Sequence, residues 1–432
     1  MKVLFLSQIV PYPPHGGVLQ RGYHLIRELG RHASVHLLAF VHPDVLGTTA
    51  LLEESRHAML ECCERVEYFP LWVKQSKLHL AAGLGMSLPS SKPFSMLAHR
   101  SPNFGRRTDA TLSSWRPDIL HADTLALDQF VPRDTATATV LTHHNIESML
   151  MRRRAQVETR WAARTFLERE TVKLEHWEQL ASPRYDMNVT MSVNDARELE
   201  RLAPASRIAV VPNGVNTDYF TTAFGEETPA LIYTGGMNMF ANRDAVLHFL
   251  SDMWPLVTAA VPDVRFYAVG QDPPAELREF AAKDPRVVVT GFVDDIRPYV
   301  RKAAVYVVPL RVGGGTRLKV LDAMASGKAL VSTSVGCEGI GVTPGEHLLI
   351  GDTPGQFADA TIALLRDQAR RTALGTAARE LVESTYAWPI VGRQLLDAYD
   401  GALRHRAASR AAGMAAGVPG GGAGSVRQGA RP

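Results

Sequence analysis

"VPLRVGGGTRLKVLDAMASGK", Val308–Lys328, joins an apolar β-branched run to three glycines, two cations and an amphipathic helix. A strand that turns through glycine into a helix is the building unit of a parallel sheet, because parallel neighbours need a crossover. Ligands of such sheets bind beyond the carboxyl ends of the strands, where the loops enter the helices. Bare amides at a helix N-terminus, with a dipole equivalent to about half a positive charge, favour an anion there. Arg317 adds a planar fork that suits phosphate and Lys319 a compact charge. The stretch therefore predicts an anion at the mouth of this helix. The plainer alternative is a glycine turn beside two solvated cations.

Working outward, the same unit recurs along the chain. Strands are predicted at Val3–Ile9, Val35–Phe40, Val66–Leu71, Ile119–His121, Thr139–Thr142 and Met187–Met191, with helical spacing at Leu19–Leu29 and Arg152–Leu180. A second series offers Ala230–Tyr233, Val264–Val269, Val287–Thr290, Val305–Pro309, Ala329–Ser332 and His347–Ile350. Alternation of this kind is the pattern of α/β domains with parallel sheets covered on both faces. The chain has 432 residues, too many for one ordinary core, so two doubly wound domains facing across a cleft are expected. We place the first at 1–205 and the second at 206–389, with a helix at 390–406 after the break Tyr386–Pro389. The Ala/Gly/Arg-rich stretch 407–432 is expected to be disordered.

Composition narrows the function. Charged residues make up 21% and hydrophobic residues 46%, which is globular. A net charge of +3 does not argue for nucleic acid. Three cysteines cannot make a disulfide framework, and the apolar N-terminal run is too short for a signal peptide, so a cytoplasmic protein is expected. One segment departs from the pattern. Residues 72–107 interleave Lys74, Lys77, Lys92, Arg100, Arg106 and Arg107 with Leu78, Leu80, Leu84 and Met86, and contain no acid. Such a segment either lies on an anionic membrane surface or packs its apolar side on its own domain.

Several motifs are excluded. Gly327-Lys328 is followed by Ala329 and lacks the first Walker glycine, while Gly16-Gly17 is not followed by a dinucleotide fingerprint. No His-Glu-x-x-His, Cys-x-x-Cys or Asp-x-Asp suggests a metal.

Gly16-Gly17 after the first strand, "VVPNGVNTDYF" at Val210–Phe220, and the glycine stretch leading to "LDAMASGKALVST" together resemble the family 4 (group 1) glycosyltransferases. The resemblance runs from about Lys2 to Arg404. It implies a GT-B fold, with a nucleotide sugar on the second domain, an acceptor on the first, and a final helix returning to the first. It also implies metal-independent transfer with retention at the anomeric carbon, no cofactor, and a UDP- or GDP-linked donor.

By the same resemblance the donor site takes Gly16, Gly17, Gly235, Arg243, Phe292, Val293, Gly314, Gly315, Thr316 and Asp322, with Arg317 and Lys319 on the diphosphate. Gly314 and Asp322 occupy the places of the family's two motif glutamates, and Met237 stands where a cation is common. His144 matches the family's histidine near the donor sugar, and His143 beside it is expected to meet the acceptor. Glu147 either reaches the acceptor or caps the helix that follows. Arg152–Arg154 is a solvated helix face or a docking site for an anionic acceptor. The expected activity is hexosyl transfer to a saccharide or lipid-linked acceptor, in exopolysaccharide or cell-envelope glycan synthesis. The rivals are a sugar-nucleotide 2-epimerase and an inactive nucleotide-sugar-binding scaffold.

Overall fold

The structure, a computed structural model, describes residues 1–14, 16–222, 227–312 and 317–416. Two parallel sheets organise it. The first contains β1 (Lys2–Ser7), β2 (Ser34–Val41), β3 (Arg65–Pro70), β4 (Ile119–Ala122), β5 (Ala138–His143), β6 (Met187–Thr190) and β7 (Ile208–Val210), in the order β3-β2-β1-β4-β5-β6-β7. The second contains β8 (Thr228–Thr234), β9 (Arg265–Val269), β10 (Val287–Gly291), β11 (Ala303–Val308), β12 (Ala329–Ser332) and β13 (Leu349–Ile350), in the order β10-β9-β8-β11-β12-β13. Both sheets reverse direction beside their first strand, which is the doubly wound topology expected. The central strands β1, β5, β11 and β12 are buried along nearly their whole length, as strands covered by helices on both faces must be.

Three details differ from the sequence reading. β7 pairs with β6 through Asn188–Ile208, Val189–Ala209 and Thr190–Val210, so the first domain extends past residue 205. The long helical segment Arg152–Leu180 is two helices, Glu147–Val157 and Trp161–Ala181. Between them the Arg160 amide donates to Glu158 Oε1 at 3.0 Å, a local bond that replaces the helical one. The last helix runs Trp388–Ala416, so 407–416 are helical rather than disordered. Alanine is the best helix former, and extending an existing helix avoids the cost of nucleation. Residues 417–432 lie outside the described residues.

The last helix belongs to the first domain. Trp388, Val391, Leu395, Tyr399 and Ala402 are buried in the cluster that holds Val3, Phe5, Leu25 and Val140. Tyr399 Oη meets His121 Nδ1 at 2.6 Å, and Asp186 takes His405 at 2.7 Å and Arg406 at 2.6 Å.

The hinge is built where the chain crosses between domains twice. Arg21, on the helix Gly17–Gly30, is 1% exposed. Its guanidinium donates to Pro212 O at 2.6 Å, Val211 O at 2.9 Å and Asn213 Oδ1 at 3.2 Å. The neighbouring Gly214 lies against the returning Trp388, where a Cβ would sit 2.5 Å from the indole. His24 stacks on that ring with centroids 4.9 Å apart. Burial lowers the Arg21 guanidinium to about 10, still charged at neutral pH. Arg21→Ala would strand three buried acceptors and is expected to cost about 3 kcal/mol. A melting temperature equal to wild type would contradict that account.

Candidate functional site

The carboxyl ends of both sheets meet at the cleft, and two helix N-termini face each other there. The helix Gly17–Gly30 starts after Gly16, whose φ of 89° is open to glycine at little cost. It has no side-chain cap and no acid in its first turn. The helix Leu318–Ala325 also lacks both. A Cβ on Gly17 would lie 3.8 Å from Leu318 Cδ1, so the two helix starts are in near contact across the domains. Uncapped N–H groups at two facing termini make a positive, hydrogen-bond-donating slot.

Charge is concentrated on the second-domain wall. Lys319 Nζ donates to Tyr233 Oη at 2.7 Å and Asn242 Oδ1 at 2.8 Å, and sits 4.0 Å from the centre of the Tyr233 ring. Burial, with the nearby Arg317, pushes its ammonium down to about 7, while Asp322 acts the other way. Burial pushes the Asp322 carboxyl up to about 7 against the pull of Lys319. Burial also lowers Arg317, which faces Glu338 and Arg153. Arg153, on the first-domain helix Glu147–Val157, lies 3.6 Å from Glu338 of the loop after β12. This pair bridges the domains beside Arg317.

Gly235 directly follows β8 with φ 142°, and a Cβ there would lie 2.7 Å from Lys319 Nζ. Its position therefore depends on having no side chain. Phe292 follows β10 and is 67% exposed, while Val293 packs on the core. Arg243 is not brought to this cluster: it pairs with Glu276 and lines a cavity of about 620 Å3 whose walls include neither Arg317 nor Lys319. Gly314, Gly315 and Thr316 lie outside the described residues.

The first-domain wall is organised by a two-residue turn. Asp123 and Thr124 directly follow β4. Asp123 Oδ1 meets His144 Nε2 at 3.1 Å, and Thr124 Oγ1 donates to Glu147 Oε1 at 3.0 Å. The buried Asp123 carboxylate fixes the imidazole and favours the tautomer with a proton on Nε2. Burial raises the Glu147 carboxyl. Behind it Glu178, pushed up to about 7 mainly by burial, takes the Ser148 amide at 3.2 Å and hydroxyl at 2.5 Å. His143 is set differently. It ends β5, is 2% exposed, bonds Asn188 Oδ1 at 3.1 Å, and burial pushes it down to about 4.

Sequence reasoning missed Asp123, Thr124, Tyr233, Asn242 and Glu338. Asp123 and Thr124 carried a usable signal, since polar residues just past a buried strand end are where such sheets bind ligands. Among the described residues no cluster of ligating side chains would hold a metal ion.

A profile described as Glycosyltransferase Family 4 matches residues 15–219, and one described as Glycosyl transferases group 1 matches residues 228–367. The chain belongs to this glycosyltransferase family. Phosphatidyl-myo-inositol mannosyltransferase of Mycobacterium tuberculosis is 28% identical over 49% of this chain and 58% of its own length. A GDP-mannose-dependent monoacylated alpha-(1-6)-phosphatidylinositol monomannoside mannosyltransferase of Corynebacterium glutamicum is 26% identical over 43% and 54%. This chain thus spans rather more than half the length of these relatives. Sucrose-phosphate synthase from Thermosynechococcus elongatus superposes with a TM-score of 0.66 at 18% identity, covering 93% of this chain and 98% of that one. HepE of Anabaena, solved in complex with UDP, gives 0.63 at 16% over 92% and 99%. The architecture is GT-B.

Gly235→Ala tests the second-domain wall. The substitution strains the backbone by about 1–3 kcal/mol and evicts the ammonium from its seat. We expect a lower melting temperature together with weaker UDP or GDP binding. Unchanged nucleotide affinity would show that the seat is irrelevant to the ligand.

Proposed function

We propose that this glycosyltransferase moves a hexose from a UDP- or GDP-linked donor to a saccharide or lipid-linked acceptor, with retention at the anomeric carbon. The observation that carries the reading is the pair of uncapped helix starts, Gly17 and Leu318, meeting beside Arg317 and Lys319. A diphosphate leaving group gains negative charge as the C1–O bond breaks, and fixed cations with oriented amides stabilise that change without reorganising. Arg317 and Lys319 supply the cations, and Gly17 leaves room for the diphosphate near its helix start. The acceptor oxygen then bonds C1 on the face the phosphate leaves, and its proton passes to the departing phosphate oxygen. His144, held by Asp123, orients the sugar from the opposite wall, and Glu147 accepts from a hydroxyl of the acceptor. The names of the relatives make GDP-mannose the first donor to test and a phosphoinositol lipid the first acceptor.

Arg317→Ala is expected to lower kcat/KM about 10²–10³-fold, the scale of losing one charge-stabilising group. His144→Ala should lower kcat while leaving nucleotide affinity near wild type. Transfer assays with GDP- and UDP-sugars, with product NMR for anomeric configuration, check both. Absence of turnover and of nucleotide binding across the donors would overturn the reading. An epimerised donor without acceptor would replace it by the epimerase alternative.

We also propose that the acceptor is met at a membrane surface. Leu78 is 82% exposed on the helix Lys77–Ser87, where Leu80, Leu84 and Met86 are exposed as well. The opposite side of that helix is held to its own domain, by Gly83 packed against Trp72, Val73 and Phe94 and by Ser87, whose Oγ donates to Glu170 at 2.7 Å and whose carbonyl accepts from Lys173 at 2.6 Å. The basic face is narrower than the sequence suggested, since Lys74 pairs with Asp44 and Arg107 with Glu67. An apolar ridge beside Lys77 and Lys92 suits the interface of anionic lipid. Leu78→Glu with Leu84→Glu should abolish sedimentation with vesicles containing phosphatidylglycerol. Wild-type protein that stays in the supernatant would instead leave the ridge as ordinary surface. Among the described residues no helix is long and apolar enough to cross a membrane.

A further inference from the structure

The chain from Gly235 to Ala241 carries no charged side chain, and the next cation, Arg243, is paired with Glu276. The end of β8 is therefore neutral in its own sequence. Yet an ammonium sits there, delivered from the helix Leu318–Ala325. Lys319 reaches across to Tyr233 on β8 and Asn242 on the helix Phe240–His248.

The seat is specific in its hydrogen bonding. Asn242 Nδ2 donates to Gly236 O at 2.8 Å, which turns Oδ1 toward the ammonium. Tyr233 Oη accepts from Lys319 and donates to the same Oδ1 at 2.8 Å. Two of the three ammonium hydrogens are thereby committed, and Nζ lies at the side where Gly235 lacks a Cβ. Both partners are neutral. A carboxylate in place of Asn242 would hold the lysine equally well but would cancel its charge before any ligand arrived.

We propose that Tyr233 and Asn242 are positioning residues that draw Lys319 across to the bare end of β8, where its remaining hydrogen meets the diphosphate of the donor. The proposal rests on the nucleotide-sugar reading above and adds which residues place the cation.

The groups facing Lys319 are Tyr233, Arg317 and Asp322, with Tyr306 behind, bonded to Thr234. With no carboxylate in hydrogen-bonding contact, burial leaves the ammonium titrating near neutrality. Diphosphate binding selects the protonated form. Affinity therefore falls as pH rises above the unliganded value, and at alkaline pH each binding event takes up a proton.

Isothermal titration of the full chain with UDP and GDP, and with uridine and guanosine as controls, from about pH 6 to about pH 9, tests this. Lys319→Met and Asn242→Leu are expected to weaken diphosphate binding roughly tenfold or more at neutral pH, with nucleoside binding unchanged. Tyr233→Phe should give a smaller loss. Asn242→Asp, nearly the same size, should move the alkaline fall to higher pH, because its carboxylate raises the lysine. Asn242→Leu and Asn242→Asp that match wild type in affinity, proton uptake and pH profile would overturn the positioning role while leaving the nucleotide site intact. Wild-type protein that binds neither nucleotide would overturn the parent reading and this one together.

Discussion

Everything at the cleft depends on how Arg21 is buried. Its guanidinium lies between the first helix and the crossing strand, where both terminal nitrogens donate to Val211 O, Pro212 O and Asn213 Oδ1 while the buried Nε has no partner. A charge so enclosed is tolerated when most of its donors are met, here by two backbone carbonyls and the Asn213 side chain, with the Asp123 carboxylate near enough to favour it. The same helix presents Gly17 to the second domain one turn earlier. The hinge and one side of the anion slot are thus set by one rigid element, and a slip of the linker would misplace both.

The two walls of the cleft differ in chemistry. The second domain supplies Arg317 and Lys319, while the first supplies Asp123, Glu147 and an imidazole held by a buried carboxylate. Under the proposed reaction that division is functional. Anionic donor groups meet Arg317 and Lys319, and hydroxyl groups find the carboxylates and imidazole opposite. The Arg153–Glu338 contact joins the walls where the charges are densest.

The fold was largely legible because buried parallel strands are short apolar runs bounded by turns. All but β7 of the thirteen strands among the described residues were anticipated, with boundaries within a few residues. β7 was missed because Ile208–Val210 is only three residues long and merges into Val211-Pro212-Asn213. The Arg152–Leu180 segment hid its break because Glu158 and Thr159 do not forbid helix; the interruption comes from a side-chain bond. Local sequence was enough to place Gly17, Arg317 and Lys319 at the two facing helix starts. It was hidden where partners come from distant segments, as with Tyr233, Asn242 and Lys319, or Thr124 and Glu147. Periodicity reports which face is buried, and says little about which polar atoms meet there.

The helix Trp388–Ala416 completes the core of a sheet whose other members were all laid down before the second domain. On a ribosome, the first sheet would emerge with the groove for Trp388, Leu395 and Tyr399 still open. It would remain so until the entire second domain had been synthesised. The apolar floor of that groove is a surface for chaperones to cover meanwhile, and the first domain should be the later of the two to reach full protection from exchange.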